Sequence, residues 1–168
     1  VSLAAACFFE ASLNVQAAPR AQETGERVTV VIDPGHGGEN EGTLEGIVQE
    51  KKMTMVTAMA MYEELLKYDN VDVYLTHTED VNLSLADRAQ FAEERNADFL
   101  FSIHYNASVD HDLFGSEVWI SSVQPYNAYG YQFGWEQMQQ MKGMGLFLRG
   151  VKTKLKDNGD DYYGIIRE

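Results

Sequence analysis

The sequence is poor in cysteine and in basic charge, and it has no uninterrupted apolar run long enough to make a convincing membrane span. Its single cysteine, Cys7, has no partner in the chain, which excludes an internal disulfide. Lysine and arginine number 13 against 26 acidic residues, a net charge of −13, and they form no block able to track a phosphate backbone. Nucleic acid is therefore not an expected partner. The glycine-rich stretch "DPGHGG" lacks both the lysine of a phosphate-binding loop and the GxGxxG spacing, and acids surround it, which argues against nucleotide binding. No internal repeat divides the chain. At 168 residues and 45% hydrophobic content, one domain can bury a core without staples.

The first 26 residues begin without methionine or a positively charged start, turn from apolar to small and polar, and contain Val15-Gln16-Ala17, whose alternating small residues suit signal peptidase. They read as a signal peptide remnant and linker, implying secretion and a sequence that starts inside its precursor. "SLAAAC" also resembles a lipoprotein cleavage box that would lipidate Cys7, although Phe8 and Phe9 fit it poorly. The domain is expected over residues 27–168.

Residues 29–32, 71–75, 99–103 and 117–120 are short runs of β-branched and aromatic residues flanked by turn chemistry, and they read as strands. "VTVVI" and "FLFSI" are nearly continuous in apolar character, which suits central parallel strands covered on both faces. Residues 50–68 read as a mostly buried helix with Met55, Met59, Tyr62 and Leu66 inward, widened by Met53, Val56 and Ala60. Ser84 with Asp87 three residues on opens a second helix, with Leu85, Ala89 and Ala92 inward and Asn96 closing it. The alternation predicts an α/β fold: a mixed, mostly parallel central sheet with helices on both faces. The aromatic, glycine-punctuated stretch 125–135 reads as a lid, a groove wall or a packed loop, and 137–155 as a helix with Met138, Met141, Leu148, Val151 and Leu155 inward.

Ligands of open α/β sheets bind outside the carboxyl ends of the strands, and His36 and His104 each follow a strand there. Neighbouring strands would bring the two together. Glu50, opening the long helix, would face back toward them, and a His-Glu-His set suits a catalytic zinc with its fourth position left for water. Gly35, Gly37 and Gly38 would let backbone approach the metal or substrate, with Asp33 or Asn106 fixing an imidazole tautomer. The spacings of 14 and 54 residues match no short zinc motif, so a glycine-rich turn with incidental histidines stays open on this ground alone. His77 and His111 sit where solvated side chains are ordinary.

Several separated segments resemble the zinc-dependent N-acetylmuramoyl-L-alanine amidases of bacterial cell walls, the amidase type 3 family. "VVIDPGHGG", "EK" at Glu50 and Lys51, "LSLADRAQFAEERNADFLFSIHYNAS", "GSEVWISS" and "RGVKTKLKDNGDDYYGIIRE" match its motifs in order over most of residues 28–168. The resemblance implies His36, Glu50 and His104 as ligands of Zn2+, Asn106 lining the site, and peptidoglycan as substrate, cut between N-acetylmuramic acid and L-alanine. It implies a monomer working in the cell wall, or the periplasm of a Gram-negative bacterium. His77 departs from it, because the family commonly has arginine there. The family's catalytic glutamate lies in an apolar strand somewhat beyond the "IIRE" segment, so the general base is expected past Glu168. The sheet is then expected to be incomplete at its C-terminal end, and the chain to bind zinc yet hydrolyse poorly. Two rivals stand beside this reading. One is a wall-binding module that keeps the zinc site without catalysis; the other is a zinc peptidase, for which Arg88, Arg149 and Arg167 are the carboxylate-clamp candidates.

Overall fold

The computed structural model describes residues 27–108, 110, 112 and 114–167. The leader segment with Cys7, and His111 and Glu168, lie outside the described residues. Strand β1 (Val28–Pro34) is the central strand of a three-stranded parallel sheet, between β4 (Val71–Leu75) and β5 (Phe99–Ile103). Val30 and Ile32 face helix α1 (Glu50–Leu65) and join Val73 and Ala58 in the core, with Met61, Tyr62, Leu65, Phe101 and Ile103 packed around them. Burial of a side chain the size of Ile32, which is 0% exposed, is worth roughly 1.5–3 kcal/mol. Alternation along β1 turns Val31 and Asp33 to the other face, where helix α2 (Leu85–Glu93) meets Asp33 through Arg88. Helices thus cover both faces, as expected.

A short antiparallel hairpin, β2 (Leu44–Glu45) and β3 (Val48–Gln49), leads into α1. Gln49 supplies no side-chain cap to α1, so loop carbonyls do the work: Glu50 N–H donates to Thr43 O and Lys51 N–H to Glu41 O. The inner line of α1 is not the expected methionine stripe. Glu50, Thr54 and Ala58 are the buried residues, while Val56 and Leu66 are exposed and Met55 and Met59 half-buried. The cause is polar: Thr54 Oγ1 donates to Gly35 O at 2.7 Å, so the line that must face the sheet begins with hydrogen-bonding groups.

Helix α2 starts as expected, with Ser84 and Asp87 forming a reciprocal capping box, and Asn96, at φ 49, reverses the chain after it. Leu85, expected inside, is half exposed, and the charged Arg88 is buried in its place.

Strand β6 (Ser116–Trp119) pairs in parallel with β7 (Leu148–Lys152), and among the described residues this pair shares no hydrogen-bonded edge with the three-stranded sheet. Helix α3 (Tyr126–Gly143) backs it. The aromatic stretch expected as a lid or loop is the first half of α3, and the expected helix over 137–155 stops at Gly143, its second half being β7. The glycines that suggested a loop are contact points. A Cβ on Gly134 would lie 3.1 Å from Val118 and Val151, and one on Gly130 3.2 Å from Ile120, so both let the helix sit close on the strands. The helix stop lies at Gly145, whose φ of 82 follows the Met144 cap. A single-turn helix, α4 (Gly164–Arg167), packs near α2. Among the described residues no helix is long and apolar enough to cross a membrane.

Candidate metal centre

Beyond β1 the chain passes Gly35 and places His36 at φ 70, in the left-handed region that a residue with a Cβ rarely adopts. Arg88 holds it there. Its Nη2 donates to His36 O at 2.8 Å, and its Nη1 to Pro34 O at 2.8 Å and to Asp33 Oδ1 at 2.6 Å. Asp33 Oδ1 also accepts from Thr76 Oγ1, and Oδ2 from Ser102 Oγ, each at 2.7 Å. One buried carboxylate therefore ties the ends of β1, β4 and β5 to α2. Arg88 and Asp33 are 3% and 1% exposed, so each is the other's necessary partner.

Two glycines shape the space for the ligating groups. A Cβ on Gly35 would fall 2.4 Å from the His104 ring, and one on Gly42 2.7 Å from both Glu50 and His36. His104, following β5, thus lies against bare backbone. Glu50, at the head of α1, accepts from Thr43 N–H at Oε2 and from Tyr105 N–H at Oε1, both at 2.8 Å. Burial pushes its carboxyl upward, but those two amides and the neighbouring imidazoles outweigh it and hold Glu50 below its ordinary pKa. Burial, and then the nearby His36, push His104 below its ordinary value, favouring the neutral imidazole that metals bind.

The tautomer of His36 follows from its neighbour. Its Nδ1 lies 3.0 Å from Asn40 Oδ1, an oxygen that also accepts from Gly42 N–H. An amide oxygen only accepts, so Nδ1 carries the proton and Nε2 presents its lone pair. Neither Asp33 nor Asn106 fills this role, contrary to the expectation from sequence. Asp33 is committed to Arg88, Thr76 and Ser102, and the exposed Asn106 donates to Glu117 Oε1 at 2.7 Å.

His36 Nε2, Glu50 Oε1 and His104 Nδ1 form a nearly equilateral triangle with sides of 3.1, 3.1 and 3.3 Å. Arms of about 2.0–2.1 Å from a tetrahedral zinc give donor separations of about 3.3–3.4 Å. Two imidazole nitrogens and one carboxylate oxygen at this spacing fit a divalent ion with an open fourth position. Among the described residues this is the one cluster of three metal-binding side chains so arranged.

Other expectations fare differently. His77 is not solvated: it is 9% exposed, tucked behind Thr76. The clamp candidates are engaged elsewhere, Arg88 with Asp33, Arg149 with Glu117 and Arg167 with Asp161 O. Asn40 carries no expectation from the sequence, and Arg88 only that of a carboxylate clamp, not of the brace that holds His36. Arg88 was findable, since it falls three residues after Leu85 and four before Ala92 on the face assigned inward.

Comparison with known proteins agrees with this geometry. The family model for N-acetylmuramoyl-L-alanine amidases matches residues 30–163. The N-acetylmuramoyl-L-alanine amidase CwlM of Bacillus licheniformis is 44% identical over 81 residues, 48% of this chain and 32% of that protein. A putative N-acetylmuramoyl-L-alanine amidase of Buchnera aphidicola (subsp. Acyrthosiphon pisum) is 30% identical over 141 residues, 82% of this chain and 56% of that one. The chain thus spans between about a third and just over half the length of these curated relatives. Among solved structures, Cwp6 from Clostridium difficile superposes with a TM-score of 0.76 at 32% identity, over 86% of this chain and 23% of its own. The catalytic domain of CwlV, an amidase from Bacillus (Paenibacillus) polymyxa, does so with a TM-score of 0.71 at 26% identity, over 84% and 74%. With the motif order, the strand topology and the family match in agreement, the chain belongs to the N-acetylmuramoyl-L-alanine amidase family.

Proposed function

We propose that this chain is a zinc-dependent hydrolase of peptidoglycan, cutting the amide between N-acetylmuramic acid and the L-alanine of the stem peptide, and that it works outside the cytoplasm. The observation that carries the reading is the triangle of His36 Nε2, Glu50 Oε1 and His104 Nδ1, whose sides match tetrahedral zinc. Zinc bound there supplies Lewis acidity toward the scissile carbonyl and a water acidified to a pKa of about 7. The chain supplies the geometry. Asn40 keeps the proton on His36 Nδ1, the Thr43 and Tyr105 amides keep Glu50 ionised, and Arg88 fixes the His36 backbone. Glu50 is committed as a ligand, because both its oxygens already accept backbone amides. The proton relay to the leaving amine therefore falls to a different carboxylate.

The peptidase alternative loses support because Arg88 is sealed in an ion pair with Asp33. The non-catalytic wall-binding reading is separated by experiment. Purified protein should hold about one zinc per chain, and His36→Ala should lose it. The zinc-loaded whole protein, incubated with purified sacculi, should release stem peptides beginning with L-alanine, and its Glu50→Gln variant should not. Equal zinc in wild type and His36→Ala would remove His36 from the site. Zinc binding without release by the whole protein would leave the wall-binding module.

A further inference from the structure

Next to the triangle lies an open cavity of about 410 Å³, reached by the residues that directly follow two of the ligating positions, Gly37 after His36 and Lys51 after Glu50. His77 forms its floor. Thr76 Oγ1 spends its single proton on Asp33, an ionised acceptor, so toward His77 Nδ1, 3.1 Å away, it can only accept. His77 Nδ1 therefore carries the imidazole proton and Nε2 the lone pair. Burial, followed by the charge of Arg88, lowers the His77 pKa and keeps that ring neutral. Among the described residues Nε2 meets no donor, and since no fully buried side-chain nitrogen or oxygen there lacks a partner, Nε2 keeps access to solvent on the side where His77 lines the cavity, the Val81 carbonyl filling the space beside Gly37.

The rest of the lining bears on what such an acceptor can receive. Lys51 donates to Gly38 O and Asp80, and Asp80 accepts in turn from Gly38 N–H, so these charges satisfy one another. Met55 and Val56, the latter 63% exposed, give the cavity an apolar wall. The exposed Lys52 and Thr78 complete the lining, and the lone pair on the floor calls for a donor. A neutral group with one N–H donor and a small apolar end is accepted, and the acetamido group of an N-acetylated sugar has both.

Resting on the proposed amide cleavage, we infer that this cavity is the subsite for the N-acetyl group of the sugar beside the cleaved bond, with His77 Nε2 accepting its N–H and its methyl on Met55 and Val56. The N–H of the L-alanine at the cleaved bond is another donor next to a methyl group in this substrate. It belongs to the scissile amide and is held at the triangle, one residue away along both segments.

The test needs no hydrolysis. N-acetylglucosamine, glucosamine and glucose are titrated into the isotope-labelled whole protein, following the amide signals of Gly37 and Val56. N-acetylglucosamine should give saturable shifts in the millimolar range, and the other two sugars none. His77→Phe, which keeps a ring but no lone pair, should weaken binding about tenfold, and His77→Gln, which restores an acceptor, should recover part of it. Val56→Asp, on an exposed position that does not endanger folding, should weaken it as well. Saturation by glucose, no saturation by any sugar, or equal affinity in His77→Phe and Val56→Asp would overturn the subsite. The sacculus assay separates the two readings: sugar binding without peptide release keeps the subsite and sinks the hydrolase. Release with an unchanged KM in His77→Phe and Val56→Asp keeps the hydrolase and sinks the subsite.

Discussion

The β4-β1-β5 sheet and the β6-β7 pair are both parallel and both backed by a helix, yet they are held together by different means. In the first, an aliphatic core is joined by buried polar contacts: Asp33 with Arg88, Thr76 and Ser102, Thr54 with Gly35, and Glu50 with two backbone amides. In the second, the inner face is aliphatic and small, Gly134 against Val118 and Val151 with Met138 sealed beside them, while its charged cluster around Glu117 is partly open to solvent. Aliphatic contacts slide and re-pack at modest cost, whereas a buried charge pair does not. The three donors of the triangle all come from the region that cannot slide.

The same kind of substitution in each region tests this contrast most strongly. Arg88→Met leaves Asp33 buried without its cation and should cost about 3–5 kcal/mol in urea unfolding. Lys152→Met leaves Glu117 with Arg149, Trp119 and Asn106, and should cost only about 1 kcal/mol. Comparable losses would erase the distinction.

A methyl group added in each region sharpens it. Gly35→Ala drives a Cβ into the His104 ring and should weaken zinc binding roughly 10–100-fold by calorimetry, with the far-ultraviolet spectrum unchanged. Gly134→Ala should lower stability by about 1 kcal/mol and leave zinc affinity alone.

The smallest expected effect is pH dependence in the second region. Burial raises the Asp161 carboxyl, but the Ser122 amide and Ser121 hydroxyl outweigh it and hold the pKa below its ordinary value. A depressed carboxylate contributes stability above its unfolded pKa and loses it as pH falls through the folded one. Asp161→Asn should therefore flatten the acid side of the stability profile below about pH 4 and change little near neutrality. An unchanged acid limb would mean that the contacts of Asp161 do not favour its charged form.

Local patterns carried the legible part of this molecule. The runs at β1, β4 and β5 and the Ser84 capping box are each written within a few residues, and the strands put His36 and His104 at one sheet edge, while the resemblance to the amidase family singled out the His36–Glu50–His104 set. What failed was context. Thr54 faces the sheet because the carbonyl of Gly35, nineteen residues earlier, needs a donor there, and no periodicity of α1 encodes that. Gly130 and Gly134 looked like loop punctuation because the strands they press against lie elsewhere in the chain. Asn40 is an ordinary turn residue until the ring of His36 is seen beside it.

The Asp33 carboxylate also bears on the order of events during folding. Its partners Thr76, Arg88 and Ser102 lie 43, 55 and 69 residues further along the chain. Contacts that distant form late, because each must first close a long loop. The left-handed turn at His36 is held by one of those partners, so the ligand triangle has no local precursor and cannot precede assembly of the three strands. Metal uptake by the refolding chain would then lag behind secondary structure and run in step with the burial of Arg88.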